Sequence, residues 1–305
     1  MNSLPKISVC VPASRHTTLG PLIDSILKQT LEEWELLVIG QGKNSEIKPA
    51  CERIAKGDTR VSYIHSERIG TSAARNAGIA VAKSQIVAFI DDDCEADKRW
   101  LETAYQHFEN DPTVDAIFGS VIAPEGSNAH FLSLCPQVMV QDAVYDTKTD
   151  PQNPPFGFGF IGCNALIRRH IFEHVGLFDE YLGPGTEFPA AEDTDFLFRL
   201  ESHGTRLRSS KDVIVYHTNG MRSGLANSLK HTRNYATGNG GLAGKLTLQS
   251  DPRGGIWMRS TVGELTKISA PGKVLGWLLR TLYFLKAYGR CRKRYDVEMG
   301  LLVLK

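Results

Sequence analysis

Three acids stand together at Asp91, Asp92 and Asp93, directly after the apolar run Ile86–Ile90. Like charges this close repel unless a cation neutralises them. Asp91 and Asp93 are two apart, so an extended backbone points them the same way. Their hard oxygens suit Mg²⁺ or Mn²⁺, which take one or two carboxylates together with substrate phosphates. The same stretch also reads as an Asp-rich turn leading into the next helix. A second cluster, Glu192-Asp193-Thr194-Asp195, follows the turn signal Gly183-Pro184-Gly185 and precedes Phe196–Leu200. It reads as a helix cap supplied by Asp193 or Thr194, with acids favoured in the first turn, or as the place of a general base. His217 closes the β-rich run Val213–Tyr216. It is either structural or an imidazole ligand to a divalent metal.

The elements that must position these groups are legible from periodicity. Ile7–Val11, Trp34–Ile39, Val61–Ile64 and Ile86–Ile90 read as strands, and Leu19–Gln29, Glu46–Lys56, Ser72–Lys83 and Asp97–Glu109 as helices between and after them. That alternation predicts an α/β fold, a Rossmann-like parallel sheet with helices on both faces. The apolar runs are continuous, as strands buried on both sides require. Ligands of such sheets bind beyond the carboxyl ends of the strands. Pro12, Ala13, Ser14 and Arg15 stand there after the first strand, Gly40 and Gln41 after the second, and the three aspartates after the fourth. Ala116–Ser120 and Val213–Tyr216 are later strands, and Phe172–Phe178 and Thr194–Ser202 later helices. Residues 124–160 hold prolines and aromatics with little periodicity.

Composition narrows the function classes. The chain has 305 residues, 42% hydrophobic and 23% charged, with net charge +1. This excludes a disordered or collagen-like chain and gives no overall signature of nucleic-acid binding. The six cysteines form no C-x-x-C pair, so buried free thiols in a reducing compartment are expected. Neither a signal-peptide pattern nor 18 consecutive uncharged apolar residues occurs. Gly157-Phe158-Gly159-Phe160-Ile161-Gly162 fits G-x-G-x-x-G but follows two prolines rather than a strand, so it reads as an aromatic loop. Asn239–Leu246 fails the P-loop pattern at its first Gly and final Ser/Thr.

Taken in order, SVCVPASR, IGTSAARNAGI, FIDDD, FIGCNALIRR, VGLFDEYLGPG, AEDTDFLFRL and VIVYH make the chain resemble glycosyltransferase family 2, from about Ile7 to His217. The resemblance implies a GT-A fold and an inverting bacterial enzyme that moves a sugar from a nucleotide-sugar donor to an acceptor hydroxyl. By matching position it implies Asp91 at the ribose and Asp93 on a metal that grips the diphosphate. It implies Arg75 near the nucleotide, Asp193 as base with Glu192 beside it, and His217 as a metal ligand. Pro12, Ala13, Arg15, Gln41 and Asp92 complete the expected nucleotide-sugar site, with Mg²⁺ or Mn²⁺ as cofactor. The family usually has Asp-Asp-Gly after the second strand, where this chain has Gly40-Gln41-Gly42. A Gln amide both donates to and accepts from a uracil or thymine edge, so a UDP-sugar stays compatible.

The expected organisation is a GT-A domain over 1–220 and a helical, basic tail over 221–305. The domain splits into a nucleotide-binding half at 1–120 and an acceptor half at 121–220. Residues 265–305 carry nine Lys/Arg against two acids. Leu275, Leu278, Leu279, Leu282 and Leu285 form one stripe within them. The tail reads as a helix packed on the acidic body, or as an interfacial helix on anionic lipid through 265–295. The expected partners are a donor and a saccharide or lipid-linked acceptor, without nucleic acid. The expected place is the cytoplasm or the inner face of the plasma membrane. The rival readings are a sugar-nucleotide nucleotidyltransferase, whose Gly-rich N-terminal loop PASRHTTLGP does not supply, and a non-catalytic binding protein.

Overall fold

Continuous apolar runs build the first half of the chain. β1 (Ile7–Ala13), α1 (Leu19–Leu27), β2 (Trp34–Gln41), α2 (Ile47–Ala55), β3 (Val61–Ser66), α3 (Thr71–Val81) and β4 (Ile86–Phe89) alternate as the periodicity predicts. Then come β5 (Glu95–Ala96), α4 (Trp100–Asn110), β6 (Ala116–Ile122), β7 (Ser133–Leu134), β8 (Ala143–Asp146), β9 (Ala165–Arg168) and α5 (Ile171–Val175). After these lie α6 (Glu192–Ser202), β10 (Arg206–Tyr216), β11 (Arg222–Ser223), α7 (Leu225–Leu248), α8 (Pro252–Gly263), α9 (Pro271–Arg294), β12 (Tyr295–Glu298) and β13 (Leu301–Leu304). The computed structural model describes residues 4–43, 46–127, 133–151, 153–263 and 271–305.

The chain divides into two compact units. The first takes the described residues up to Ile69, with Ala73–Leu177 and Leu197–Arg222; the second takes Gly70–Ser72, Phe178–Phe196 and the described residues from Ser223 on.

The first unit holds a sheet ordered β3-β2-β1-β4-β9-β6-β10-β5, with β8 paired to β10. β1 to β4 are parallel where they pair. β9 runs antiparallel to both β4 and β6. The sheet is therefore mixed, where strand–helix alternation alone predicts a parallel one. Every residue of β1 is buried, so both faces are covered. On one face Val9, Val11, Val38 and Ala88 pack with Leu22 and Ile26 of α1 and Trp100 and Leu101 of α4. On the other, a Cβ at Gly78 of α3 would come within 2.7 Å of Cys10 Sγ. On that face Phe89 also meets Phe172 of α5 edge-on at 6.2 Å. Each such buried apolar side chain contributes about 1.5–3 kcal/mol.

Asn164 joins the middle strands. Its amide nitrogen donates to the carbonyls of Ser120 (2.8 Å) and Val213 (2.9 Å), and its oxygen accepts from the Trp100 indole at 2.9 Å. Space for that amide exists because position 119 is glycine: a Cβ there would lie 2.3 Å from the Asn164 nitrogen. The loop Gly157–Gly162 also packs, with Phe158 and Phe160 edge-on to Phe118 at 5.9 and 4.5 Å.

The second unit is built on α7 and α9, which run side by side in the same direction. The glycines of Asn239–Leu246 serve this packing. A Cβ at Gly240 would lie 2.2 Å from the Phe284 carbonyl oxygen, and one at Gly244 would lie 2.7 Å from Cys291 Cβ. Gly241 gives its space to the Phe188 ring. The buried side of α9 is Trp277, Phe284, Ala287 and Cys291. The leucines Leu278, Leu282 and Leu285 share one side of the helix, and that side is 44–50% exposed. The Leu275 side chain lies outside the described residues. A hairpin that periodicity did not reveal, β12 with β13, closes the unit through a Met299-Gly300 turn with φ +45° and +78°. Tyr295 of that hairpin packs against the Tyr181 and Phe188 rings.

Candidate active site

Parallel β1, β2 and β4 deliver Ala13, Gln41 and the Asp91–Asp93 run to the same, carboxyl edge of the sheet. Pro12 and Ala13 are buried at the end of β1 and Gln41 is half-buried at the end of β2. Position 40 is glycine because any side chain there would collide with the Tyr63 ring, 2.6 Å from a Cβ.

Asp92 organises the loop after β1. Its carboxylate accepts the backbone N–H of Ser14 (2.7 Å) and of Arg15 (3.0 Å), the Ser14 hydroxyl (3.0 Å) and the Arg15 guanidinium (2.5 Å). Arg15 spans to Asp93 Oδ2 at 2.9 Å, so one cation bridges two of the three acids. Arg75 of α3 is almost wholly buried and donates to Asp91 Oδ1 at 3.2 Å. The glycine at 162 accommodates it: a Cβ there would meet the Arg75 nitrogens at 2.9 and 3.0 Å. Burial raises the Asp91 carboxyl above its ordinary value, with the Arg75 charge opposing.

His217 follows β10 and reaches the same acids. Its Nδ1 is 2.9 Å from the Pro136 carbonyl oxygen, which only accepts, so Nδ1 carries a proton and donates. Its Nε2 is then directed at Asp93 Oδ1, 3.3 Å away. Two lone pairs cannot face each other unless a proton or a cation lies between them. Burial opposes charge on both groups. Pairing prevails, holding the Asp93 carboxyl well below the usual range and raising His217. A carbonyl that accepts the proton of one ring nitrogen is the common outer support of a metal-ligating histidine. Gly220 lets this ring lie flat, since a Cβ there would meet it at 2.1 Å. Asp93, Cys94 and His217 offer donor atoms within 4.8 Å of one another, all buried. The donor set fits a divalent cation. The structure thus brings Arg15, Arg75, Asp91, Asp92, Asp93 and His217 together. Cys94 is a neighbour that sequence reasoning did not single out, although it directly follows the acidic run.

In the second unit, α6 begins at Glu192. Neither Asp193 nor Thr194 is therefore its N-cap; the residue before the helix is Ala191, in the left-handed region at φ +72°. A non-glycine residue there costs on the order of 1–3 kcal/mol and marks functional segments often. Asp193 is half-buried, and its Oδ1 accepts the Thr194 N–H at 2.7 Å and the Thr194 hydroxyl at 3.3 Å. Glu192 is buried and lies over Gly183, whose φ is +103° and whose Cβ would come 3.0–3.1 Å from the Glu192 side chain. One turn on, Asp195 is buried and binds the ammonium of Lys245 at 2.5 Å. Lys245 is fully buried and also binds Asp179 at 2.7 Å. Sequence reasoning missed Lys245, because the only motif near it fails the P-loop pattern.

Residues 8–176, more than half of the chain, match the model of glycosyl transferase family 2. The chain belongs to glycosyltransferase family 2. A glucosyl-dolichyl phosphate glucuronosyltransferase of Haloferax volcanii is 27% identical over 225 residues, covering 70% of this chain and 69% of the relative. Glycosyltransferase AglE of the same organism is 26% identical over 223 residues, covering 71% and 68%. Among solved structures, S. aureus TarS 1–349 in complex with UDP superposes with TM-score 0.60 at 17% identity, covering 98% of this chain and 96% of that one. The mannosyltransferase PcManGT of Pyrobaculum calidifontis, in complex with GDP-Man and Mn²⁺, superposes with TM-score 0.59 at 17% identity, covering 95% and 84%. These likenesses establish the GT-A fold, and the family match makes the protein a glycosyltransferase. Among the described residues, no helix of the enzyme is long and apolar enough to cross a membrane.

Proposed function

We propose that the enzyme transfers a sugar, with inversion, from a nucleotide diphosphate donor to an acceptor hydroxyl in the synthesis of cell-surface polysaccharide or glycolipid. The observation that carries this reading is the cluster of Asp91, Asp92, Asp93, Arg15, Arg75 and His217 beyond the carboxyl edge of β1 and β4. Asp91, steadied by Arg75, receives the ribose hydroxyls. Pro12, Ala13 and Gln41 flank the base, and the Gln41 amide serves a uracil edge as donor and acceptor. Asp92 acts through the Ser14–Arg15 loop that it holds. Asp93 and His217 would hold Mg²⁺ or Mn²⁺, which when bound would offset the charge growing on the diphosphate leaving group. UDP and UDP-GlcNAc in the TarS complexes support a UDP-sugar donor, and Mn²⁺ in PcManGT supports the cation.

Asp193 takes the proton of the acceptor hydroxyl as it attacks the sugar carbon from the side opposite the diphosphate. Its Oδ2 is outside the bonds that Thr194 makes with Oδ1. Glu192, held over Gly183, positions acceptor or donor. The name of the Haloferax relative supports a lipid-linked acceptor. For such an acceptor, the exposed Leu278, Leu282 and Leu285 of α9, with Lys286, Arg292 and Lys293 on the same helix, meet an anionic membrane at its cytoplasmic face.

The test is turnover of a panel of nucleotide sugars with Mn²⁺. A carboxylate base contributes about 10²–10⁴-fold, so Asp193→Asn keeps donor affinity and loses turnover by that factor. Undiminished turnover in this variant removes Asp193 from the mechanism.

A further inference from the structure

The Asp93–His217 pair has a third donor beside it. Cys94 is fully buried, and its Sγ lies 3.7 Å from Asp93 Oδ1. His217 Nε2 lies 3.3 Å from the same oxygen. All three donor atoms fall within 4.8 Å of one another. A tetrahedral cation with sulfur at about 2.3 Å and nitrogen or oxygen at about 2.0–2.1 Å sets its ligands about 3.3 Å (N to O) and about 3.6 Å (S to O) apart. The two edges that meet at Asp93 Oδ1 match those values, and the sulfur and the ring nitrogen lie within 4.8 Å of each other. Octahedral Mg²⁺ at about 2.0–2.1 Å needs adjacent ligands about 2.9 Å apart and gains nothing from a thiol. The His217 ring cannot turn to relax the fit, because the Pro136 carbonyl holds Nδ1 and Gly220 lies against the ring.

We propose that Cys94 is a third protein ligand of the cation held by Asp93 and His217, and that it biases this seat away from Mg²⁺ toward divalent ions that accept sulfur. The proposal rests on the reading of Asp93 and His217 as the cation pair. Three ligands of mixed type leave a tetrahedral ion one position for a non-protein oxygen, the arrangement of catalytic rather than structural sites. Cys163, whose thiol hydrogen-bonds that of Cys94, stands next in line and is not among the three.

The experiment uses the full chain, stripped with a chelator and titrated with Co²⁺, whose thiolate bond gives a charge-transfer absorption. Five proteins are compared: the unaltered chain, Cys94→Ser, Cys163→Ala, Cys135→Ala and Asp93→Asn. Expected are a thiolate band in the unaltered chain and in Cys163→Ala, and Co²⁺ affinity at least about tenfold above that for Mg²⁺. In Cys94→Ser the band is lost and Co²⁺ affinity drops by at least about tenfold, a loss of the size seen when metal-site partners are removed. Circular dichroism checks that each variant folds. If Cys94→Ser does not fold, Cys94→Ala takes its place, and a band that persists in Cys163→Ala and in Cys135→Ala, the other thiol beside His217, leaves Cys94 as the nearby source. Co²⁺ binding that depends on Asp93 but shows no thiolate band overturns the role of Cys94 and leaves the cation pair standing. Binding that ignores Asp93, or no binding of Co²⁺ or Mn²⁺ at all, overturns the pair and this proposal with it.

Discussion

The ammonium of Lys245 is shut off from water, with the carboxylates of Asp179 and Asp195 as its partners at 2.7 and 2.5 Å. Removing one member of a buried ion set costs about 3–5 kcal/mol, because the charges left behind stay desolvated. Lys245→Met, close in length and apolar, is therefore expected to lose about that much stability in urea unfolding. A loss under 1 kcal/mol would show that the two aspartates re-pair or take up protons at little expense. The contrast with Asp91–Asp93 shows what a sequence discloses at this scale. Those acids are consecutive and follow an apolar strand, so their crowding is visible in the string of letters. Lys245 and Asp179 are 66 positions apart, and no periodicity links them. Asn164 is hidden for the same reason, since its partners Trp100, Ser120 and Val213 lie on other elements.

Helices and strands were legible where one rule governs a run. β1 to β4 are continuous apolar segments, and α1 and α2 carry clean stripes, so type and place follow directly. β9 has the same apolar texture, yet runs the other way between β4 and β6. Four residues, ALIR, do not encode a direction; the long connection before them does. The β12–β13 hairpin has only a local sequence signal: Met299-Gly300 between two short β-rich runs, with φ positive at both turn positions. Two-residue turns of that kind favour Gly. On α7 the glycines looked like a loop motif and are contact points between helices. Gly240→Ala would drive a methyl to 2.2 Å from the Phe284 carbonyl oxygen. The expected loss is about 1–3 kcal/mol from overpacking. Gly289→Ala on α9, where nothing lies within 4 Å, is expected to gain about 0.5–1 kcal/mol from helix propensity. Thermal denaturation of the two variants side by side checks the pair, and equal shifts would refute the packing account.

Across the chain, charge and apolar surface are unevenly shared. Between Leu265 and Tyr295 there are eight basic residues and no acid. The structure spends part of this charge internally, as Arg294 and Arg290 reach Glu187 at 2.9 and 3.6 Å. Lys286, Arg292 and Lys293 stay exposed on the helix that carries the open leucines. Each cation near an anionic surface adds about 1 kcal/mol. The full chain is therefore expected to float with anionic vesicles and not with zwitterionic ones. Lys286→Gln with Lys293→Gln should lower the bound fraction about thirtyfold in partition constant, a loss of about 2 kcal/mol. Absence of flotation with anionic vesicles removes the membrane from the enzyme's partners.

One contact also fixes an order of events. Asp179 is satisfied by the backbone N–H of Leu302, at 2.9 Å and 123 positions downstream. Residues 178–196, which include Glu192 and Asp193, share a unit with that distant strand. Closing so long a loop is entropically slow. While the polypeptide is being made, then, the segment that carries Glu192 and Asp193 gains this contact only after Leu302 has emerged. The strands of the first unit's main sheet all precede residue 217, so on the proposed roles of Asp93 and Asp193 the donor seat is complete in sequence well before the segment of the base gains this contact.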